Sequence, residues 1–203
     1  MTQAAAHVWL ADIGALDEAR LDLYWQWLSD SERAREFARP QRRRQFIAAR
    51  ALLRIAAGDL LGLPPAAVVF GGQAGRAPWL VSPAVALPGL SVSHSGDWVA
   101  CALSTETALG LDIEVKEAGR DVDALAEHAF DAATCARLAA LAPGERLHEF
   151  YAAWSAQEAR IKLGMDAVNL EAAACVAVAH DVLAIALCAA QPLAAPVVHV
   201  AAL

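Results

Sequence analysis

The chain has 203 residues, of which 58% are hydrophobic and 19% charged, with a formal net charge of −7. This length suits one large domain or two of about 100 residues that share an interface. The apolar content excludes a disordered or fibrous chain.

The opening MTQAAAHVWLADIG has no basic residue ahead of its apolar run and reaches Asp12 quickly, so no secretory signal is expected. His7 to Ile13 reads as a strand, followed by short helices at Leu16 to Trp27 and Ser31 to Ala38, the second with Ser31 as its N-cap. From Gln41 to Leu63 the apolar positions Phe46, Leu52, Leu53, Ile55, Leu60 and Leu61 support one long helix, closed by Gly62 and Pro64-Pro65. Strands are expected at Ala67 to Phe70, around Trp79-Leu80, and at Leu90 to Ser95 and Trp98 to Ser104, the last two joined by a Gly96-Asp97 hairpin turn. Ala108 to Val115 continues the strand pattern, with Asp112 and Glu114 on one side. Two such carboxylates repel each other and want a cation between them unless they are simply exposed.

Helices follow at Val122 to His128, Asp131 to Leu141 and Glu145 to Leu163, then strands near Ala173 to Ala179, Leu183 to Cys188 and Val197 to Ala202. Val182 to Leu203 carries no Asp, Glu, Lys or Arg, but Gln191, Pro192, Pro196 and His199 interrupt it, which favours two short buried strands over a membrane span. The succession strand, short helices, long helix, strands occurs twice. The expected architecture is α+β with a pseudo-twofold repeat of two similar halves, residues 1–104 and 105–203. Cys101, Cys135, Cys175 and Cys188 show no CxxC and no zinc-ligand spacing, so reduced thiols of a cytoplasmic protein are expected.

Charge is unevenly spread. Asp30 to Arg54 holds eight of the 16 Lys and Arg, whereas Ser104 to Phe150 holds ten acidic residues against four basic. A basic patch facing an acidic region suits a polyphosphate, an acidic partner or a ligand held through a dication. Nucleic acid fits less well, because the patch lacks interleaved aromatics. On the last long helix Trp154, Glu158, Ile161 and Lys162 share a face, an arrangement that by itself also describes an exposed i,i+4 ion pair.

Five segments in order, RRRQFIAARALLR (Arg42 to Arg54), GRAPWL (Gly75 to Leu80), SVSHSGDWVACALS (Ser91 to Ser104), GLDIE (Gly110 to Glu114) and WSAQEARIK (Trp154 to Lys162), resemble the 4'-phosphopantetheinyl transferases of the pseudodimeric, surfactin-synthetase-activating type. The resemblance spans roughly residues 31–164. It implies a monomer that moves the phosphopantetheine arm of coenzyme A to a serine of an acyl or peptidyl carrier protein, leaving adenosine 3',5'-bisphosphate. It also implies Mg²⁺ held by Asp112, Glu114 and Glu158, with Glu158 as proton acceptor and Lys162 on the phosphates and leaving group. Coenzyme A contacts would come from Arg33, Arg44, Arg50, Arg76, Ser93, His94 and Lys162. Gln157 departs from the pattern, which has lysine there, so reduced but real activity is expected, with Arg160 as a substitute cation. Two other readings remain: a binding homologue that no longer transfers, and a Ser/His hydrolase on Ser93, His94 or Ser95, which lacks a G-x-S-x-G elbow.

Overall fold

The computed structural model describes residues 3–73, 77–164 and 173–203. Strand β1 (His7–Asp12) is followed by helices α1 (Glu18–Gln26), α2 (Asp30–Arg33) and α3 (Pro40–Leu61), then β2 (Val69–Gly71), β3 (Trp79–Ser82), β4 (Gly89–Ser95) and β5 (Trp98–Ser104). The second run is β6 (Leu109–Val115), α4 (Val122–Ala129), α5 (Ala132–Ala139), α6 (Pro143–Lys162), β7 (Ala174–Val178), β8 (Leu183–Ala189) and β9 (Val197–Val200). Helices and sheets in this order make an α+β fold.

One sheet has the order β4-β5-β1-β9 and another β6-β8-β7, while β2 and β3 form a separate ribbon. Strands β1 and β5 are apolar on both faces because both are covered. Trp9, Ala11, Val99, Cys101 and Leu103 pack with the α3 residues Ile47, Leu52 and Leu53. Val8, Leu10, Ala100 and Ala102 on the opposite face meet Leu109, Leu111, Ile113, Ile185 and Leu187 of the second sheet. The far face of that sheet, at Ala186 and Cys188, packs on Ala159 of α6. The layers therefore run α3, sheet, sheet, α6, and the alternation that turns Leu111 and Ile113 into the core turns Asp112 and Glu114 toward α6.

The long helix ends where the sequence predicts, with Gly62 in the left-handed conformation at φ 67° and its amide on the Gly58 carbonyl. Three expectations are corrected. The cap of α2 is Ser29, in a capping box with Glu32, and the helix is only one turn long, because Glu32 folds inward to meet two arginines. Of the two strands expected to be buried after Val182, β8 is, but β9 lies parallel to β1 at the sheet edge, with Val197, Val198 and Val200 at 50, 43 and 80% exposure. Cys175 and Cys188 are not free thiols: they face each other directly across β7 and β8 and form a disulfide, whereas Cys101 and Cys135 are free. That opposition arises from strand register, which spacing in the sequence does not encode. Among the described residues no helix is long and apolar enough to cross a membrane.

Candidate active site

An open cleft of about 830 Å³ is walled by the start of α3 and the loop before it, by β4, and by the end of α6. Its size is within the range of small-molecule sites. Arg35, Arg39, Arg42 and Arg50 line one wall, His94 stands on β4, and Ile161 and Lys162 close the far end. Phe37, Phe46 and Leu90 supply apolar surface between the cations. The cleft therefore offers flat apolar patches and several positive charges, the complement of a nucleotide polyphosphate.

The helix decides which arginines reach it. At 3.6 residues per turn Arg42, Phe46, Ala49 and Arg50 share a stripe, whereas Arg44 is turned about 200° from Arg42. Arg44 donates instead to the carbonyls of Ile13 and Leu16 and approaches Glu18 at 3.7 Å. Arg33 pairs with exposed Asp30 at 2.8 Å. Neither lines the cleft, and the structure puts Arg35, Arg39 and Arg42 there in their place. The 3.6-residue period, applied to Arg42 and Arg50, was the signal that could have found Arg42. Arg76 lies outside the described residues.

Arg50 reaches the cleft from a buried cluster. Its Nε is 3.4 Å from Glu32, while Arg54 Nη2 is 2.5 Å from the same carboxylate. Burial pushes the Arg50 pKa down to about 10, with Glu32 opposing and Arg54 and Arg35 adding, so it remains cationic at neutral pH. Arg50 Nη1 is buried without a partner among the described residues. His94 shares the wall with Arg42, whose Nη1 lies 3.1 Å from His94 Nδ1. Crowding by the cleft wall lowers the His94 pKa first, and the Arg42 guanidinium lowers it further. A neutral imidazole beside a guanidinium is what an arriving phosphate would convert to imidazolium.

At the other end, Lys162 Nζ lies 2.7 Å from Asp112 Oδ1 and 2.8 Å from Ser93 Oγ, and Ser93 donates to the same oxygen at 2.9 Å. Gly110, in the same strand, allows this approach: a Cβ there would collide with the backbone of Ala159 and Leu163, so α6 rests directly on β6. Ser93 is buried and is not among the residues lining the cleft. Gln157, where the resemblance has lysine, donates to the Ala129 carbonyl at 3.3 Å and so faces α4 rather than the cleft. The Nε of Arg160 is buried and unpartnered among the described residues, and Arg160 does not line the cleft either.

The acids meet one part of a test for a bound dication. Asp112 Oδ2 is buried with no hydrogen-bond partner among the described residues. Desolvation raises the Glu114 pKa, nearby Asp112 adds to the rise, and Ser95 and Trp154 oppose it. An orphaned carboxylate oxygen beside a carboxylate that resists ionisation fits a hard, oxygen-seeking cation. Glu158 is half-buried and has neither a hydrogen bond nor an ion pair among the described residues. No group of three or more His, Cys, Asp or Glu side chains is clustered for a metal among the described residues, so the structure does not gather the expected trio of Asp112, Glu114 and Glu158.

The family model described as the 4'-phosphopantetheinyl transferase superfamily matches residues 108–188, which include both acids and all of α6. Over these residues the chain is similar to that superfamily. It is 32% identical over 131 residues to a 4'-phosphopantetheinyl transferase of Bacillus subtilis, covering 64% of this chain and 56% of that one. It is 28% identical over 165 residues to the 4'-phosphopantetheinyl transferase HetI of Nostoc sp., covering 80% and 69%. It is also 34% identical over 121 residues to AcpT of Escherichia coli K12, covering 60% and 57%. The chain thus matches a little over half to about two thirds of the length of these relatives.

Proposed function

We propose that the chain transfers 4'-phosphopantetheine from coenzyme A to a serine hydroxyl of an acyl or peptidyl carrier protein, dependent on Mg²⁺ and releasing adenosine 3',5'-bisphosphate. The observation that carries this reading is the continuity of the cleft, in which an arginine and histidine wall leads to Lys162, and Lys162 rests on the buried acid Asp112. The names of the relatives give the reaction class.

In this reading coenzyme A lies between the two halves of the chain, residues 1–104 and 105–203, with its 3'-phosphate between Arg42 and His94. Lys162 donates to the diphosphate, exchanging the oxygens of Ser93 and Asp112 for phosphate oxygens within the same reach. The carrier serine oxygen attacks the phosphorus that bears the pantetheine arm, the bond from that phosphorus to the bridging oxygen breaks, and the nucleotide phosphate leaves. Lys162 stabilises that departing oxygen, and Glu158, with no other partner among the described residues, accepts the serine proton. Mg²⁺, when bound, would supply charge neutralisation on the diphosphate, and Asp112 Oδ2 and Glu114 would hold it. The protein is read as a monomer acting in the cytoplasm.

The cleft assignment is tested by calorimetric titration with coenzyme A and with 3'-dephospho-coenzyme A. Arg42→Ala should weaken coenzyme A about ten-fold or more, the scale of one charge-assisted contact, and leave the dephospho ligand nearly unchanged. Equal loss for both ligands would remove Arg42 from the 3'-phosphate.

A further inference from the structure

Strands β4 and β6 run side by side yet belong to different sheets. Serine hydroxyls fill the seam between them. Ser91, Ser93 and Ser95 accept the backbone amides of Leu111, Ile113 and Val115 at 2.9, 3.3 and 3.1 Å, each twenty residues apart in sequence. Every second residue of β4 thus satisfies a donor on the open edge of β6, where a backbone carbonyl would do so in a continuous sheet.

The three serines then differ in where their own protons go. Ser93 donates to Asp112 Oδ1 at 2.9 Å and Ser95 to Glu114 Oε2 at 2.8 Å. Ser91 stands opposite Leu111, and its hydroxyl donates to no carboxylate among the described residues. Each of the two lower serines therefore forms a relay, amide to hydroxyl to carboxylate, whose geometry is fixed at one end by the strand. With one oxygen of Asp112 tied in this way, its other oxygen is the buried, unpartnered Oδ2.

We propose that Ser93 and Ser95 are positioning residues that preset Asp112 and Glu114 to receive a divalent cation, while Ser91 only joins the two strands. The inference rests on the reading of these acids as cation ligands. It gives the S-V-S-H-S segment two tasks on alternate positions, with His94 facing the cleft and its flanking serines facing the acids. Groups that hold metal ligands in place commonly change metal affinity 10- to 100-fold when removed, which sets the expected scale.

The test is titration of the full-length chain with Mn²⁺, with and without coenzyme A, following free Mn²⁺ by electron paramagnetic resonance. Ser95→Ala and Ser93→Ala should each weaken Mn²⁺ about ten-fold or more, and Ser91→Ala, which removes the same kind of amide contact, less than about two-fold. Thermal denaturation of each variant reports the seam separately. If Ser95→Ala does not fold, Ser95→Thr keeps the hydroxyl and should hold the affinity, whereas Ser95→Cys keeps the size with a weak donor and should lose it. Equal weakening by all three alanines, or none by Ser95→Ala, would overturn the positioning role alone. No Mn²⁺ uptake by the unaltered chain would overturn the cation reading and this inference with it.

Discussion

Replacing Glu32 by alanine should destabilise the protein more than any other single deletion of a charged side chain near the cleft. The Glu32 side chain is fully buried, and its Oε2 accepts Arg54 Nη2 at 2.5 Å, Ser29 N at 2.8 Å and Ser29 Oγ at 3.0 Å. Its Oε1 lies 3.4 Å from both Arg54 Nη1 and Arg50 Nε. Without it, two guanidinium groups with side-chain exposures of 7 and 1% lose their shared counter-charge, and the Glu32 half of the α2 capping box is lost. Removing one partner of a buried ion pair costs about 3–5 kcal/mol, because the remaining charge keeps its desolvation penalty and loses its compensation. For a domain of this size that corresponds to a fall in Tm of roughly 6–20 °C. Urea unfolding with linear extrapolation and scanning calorimetry measure it, with Asp30→Ala as control, since the Asp30 carboxylate is 99% exposed in its pair with Arg33 and should leave the midpoint unmoved. A Glu32→Ala loss below about 1 kcal/mol, the range of exposed ion pairs, would refute the buried-cluster account. Coenzyme A binding should weaken in the same variant, because Glu32 holds Arg50 at the cleft wall.

Gly110→Ala should lower stability by about 1–3 kcal/mol or more and reduce transfer with it, because α6 must lift off β6 and take Glu158 and Lys162 along; an unchanged melting temperature would contradict the packing. Coenzyme A affinity should rise as pH falls through the histidine range. The free His94 pKa is lowered by desolvation against the cleft wall and by Arg42, and a bound phosphate raises it, so binding takes up a proton. Calorimetry in buffers of different ionisation enthalpy reads that proton directly, and a pH dependence that survives His94→Gln would assign it elsewhere. Gln157→Lys should leave kcat/KM within about three-fold, less than 1 kcal/mol, because this side chain faces the Ala129 carbonyl. A ten-fold gain would show that position 157 reaches the phosphates after all.

The long helix, the β4–β5 hairpin and the strand bearing Asp112 and Glu114 were legible because each rests on local rules: apolar period, a glycine stop, and alternation. The resemblance implies Lys162 and the acids as site residues, and the structure brings Lys162 and Asp112 to 2.7 Å. What the sequence did not yield depends on register and direction. Arg44 and Arg42 are two residues apart in one run of arginines, yet one serves the carbonyls at the end of β1 and the other the cleft. The Cys175–Cys188 pairing, the inward turn of Glu32 and the placement of β9 on β1 are all set by long-range contacts. The resemblance implies a ligand contact for Ser93, and only the offset between β4 and β6 reveals that Ser93 and Ser95 meet carboxylates.

Intact-protein mass spectrometry reads transfer to a carrier protein as a change in the carrier's mass. Apo carrier proteins of several classes would be incubated with this protein and coenzyme A, with Mg²⁺ and with chelator. A mass increase of one phosphopantetheine group is expected on at least one carrier, dependent on metal and lost in Lys162→Met. Measurable coenzyme A binding with no increase on any carrier would contradict it and indicate a protein that binds the ligand without transferring it.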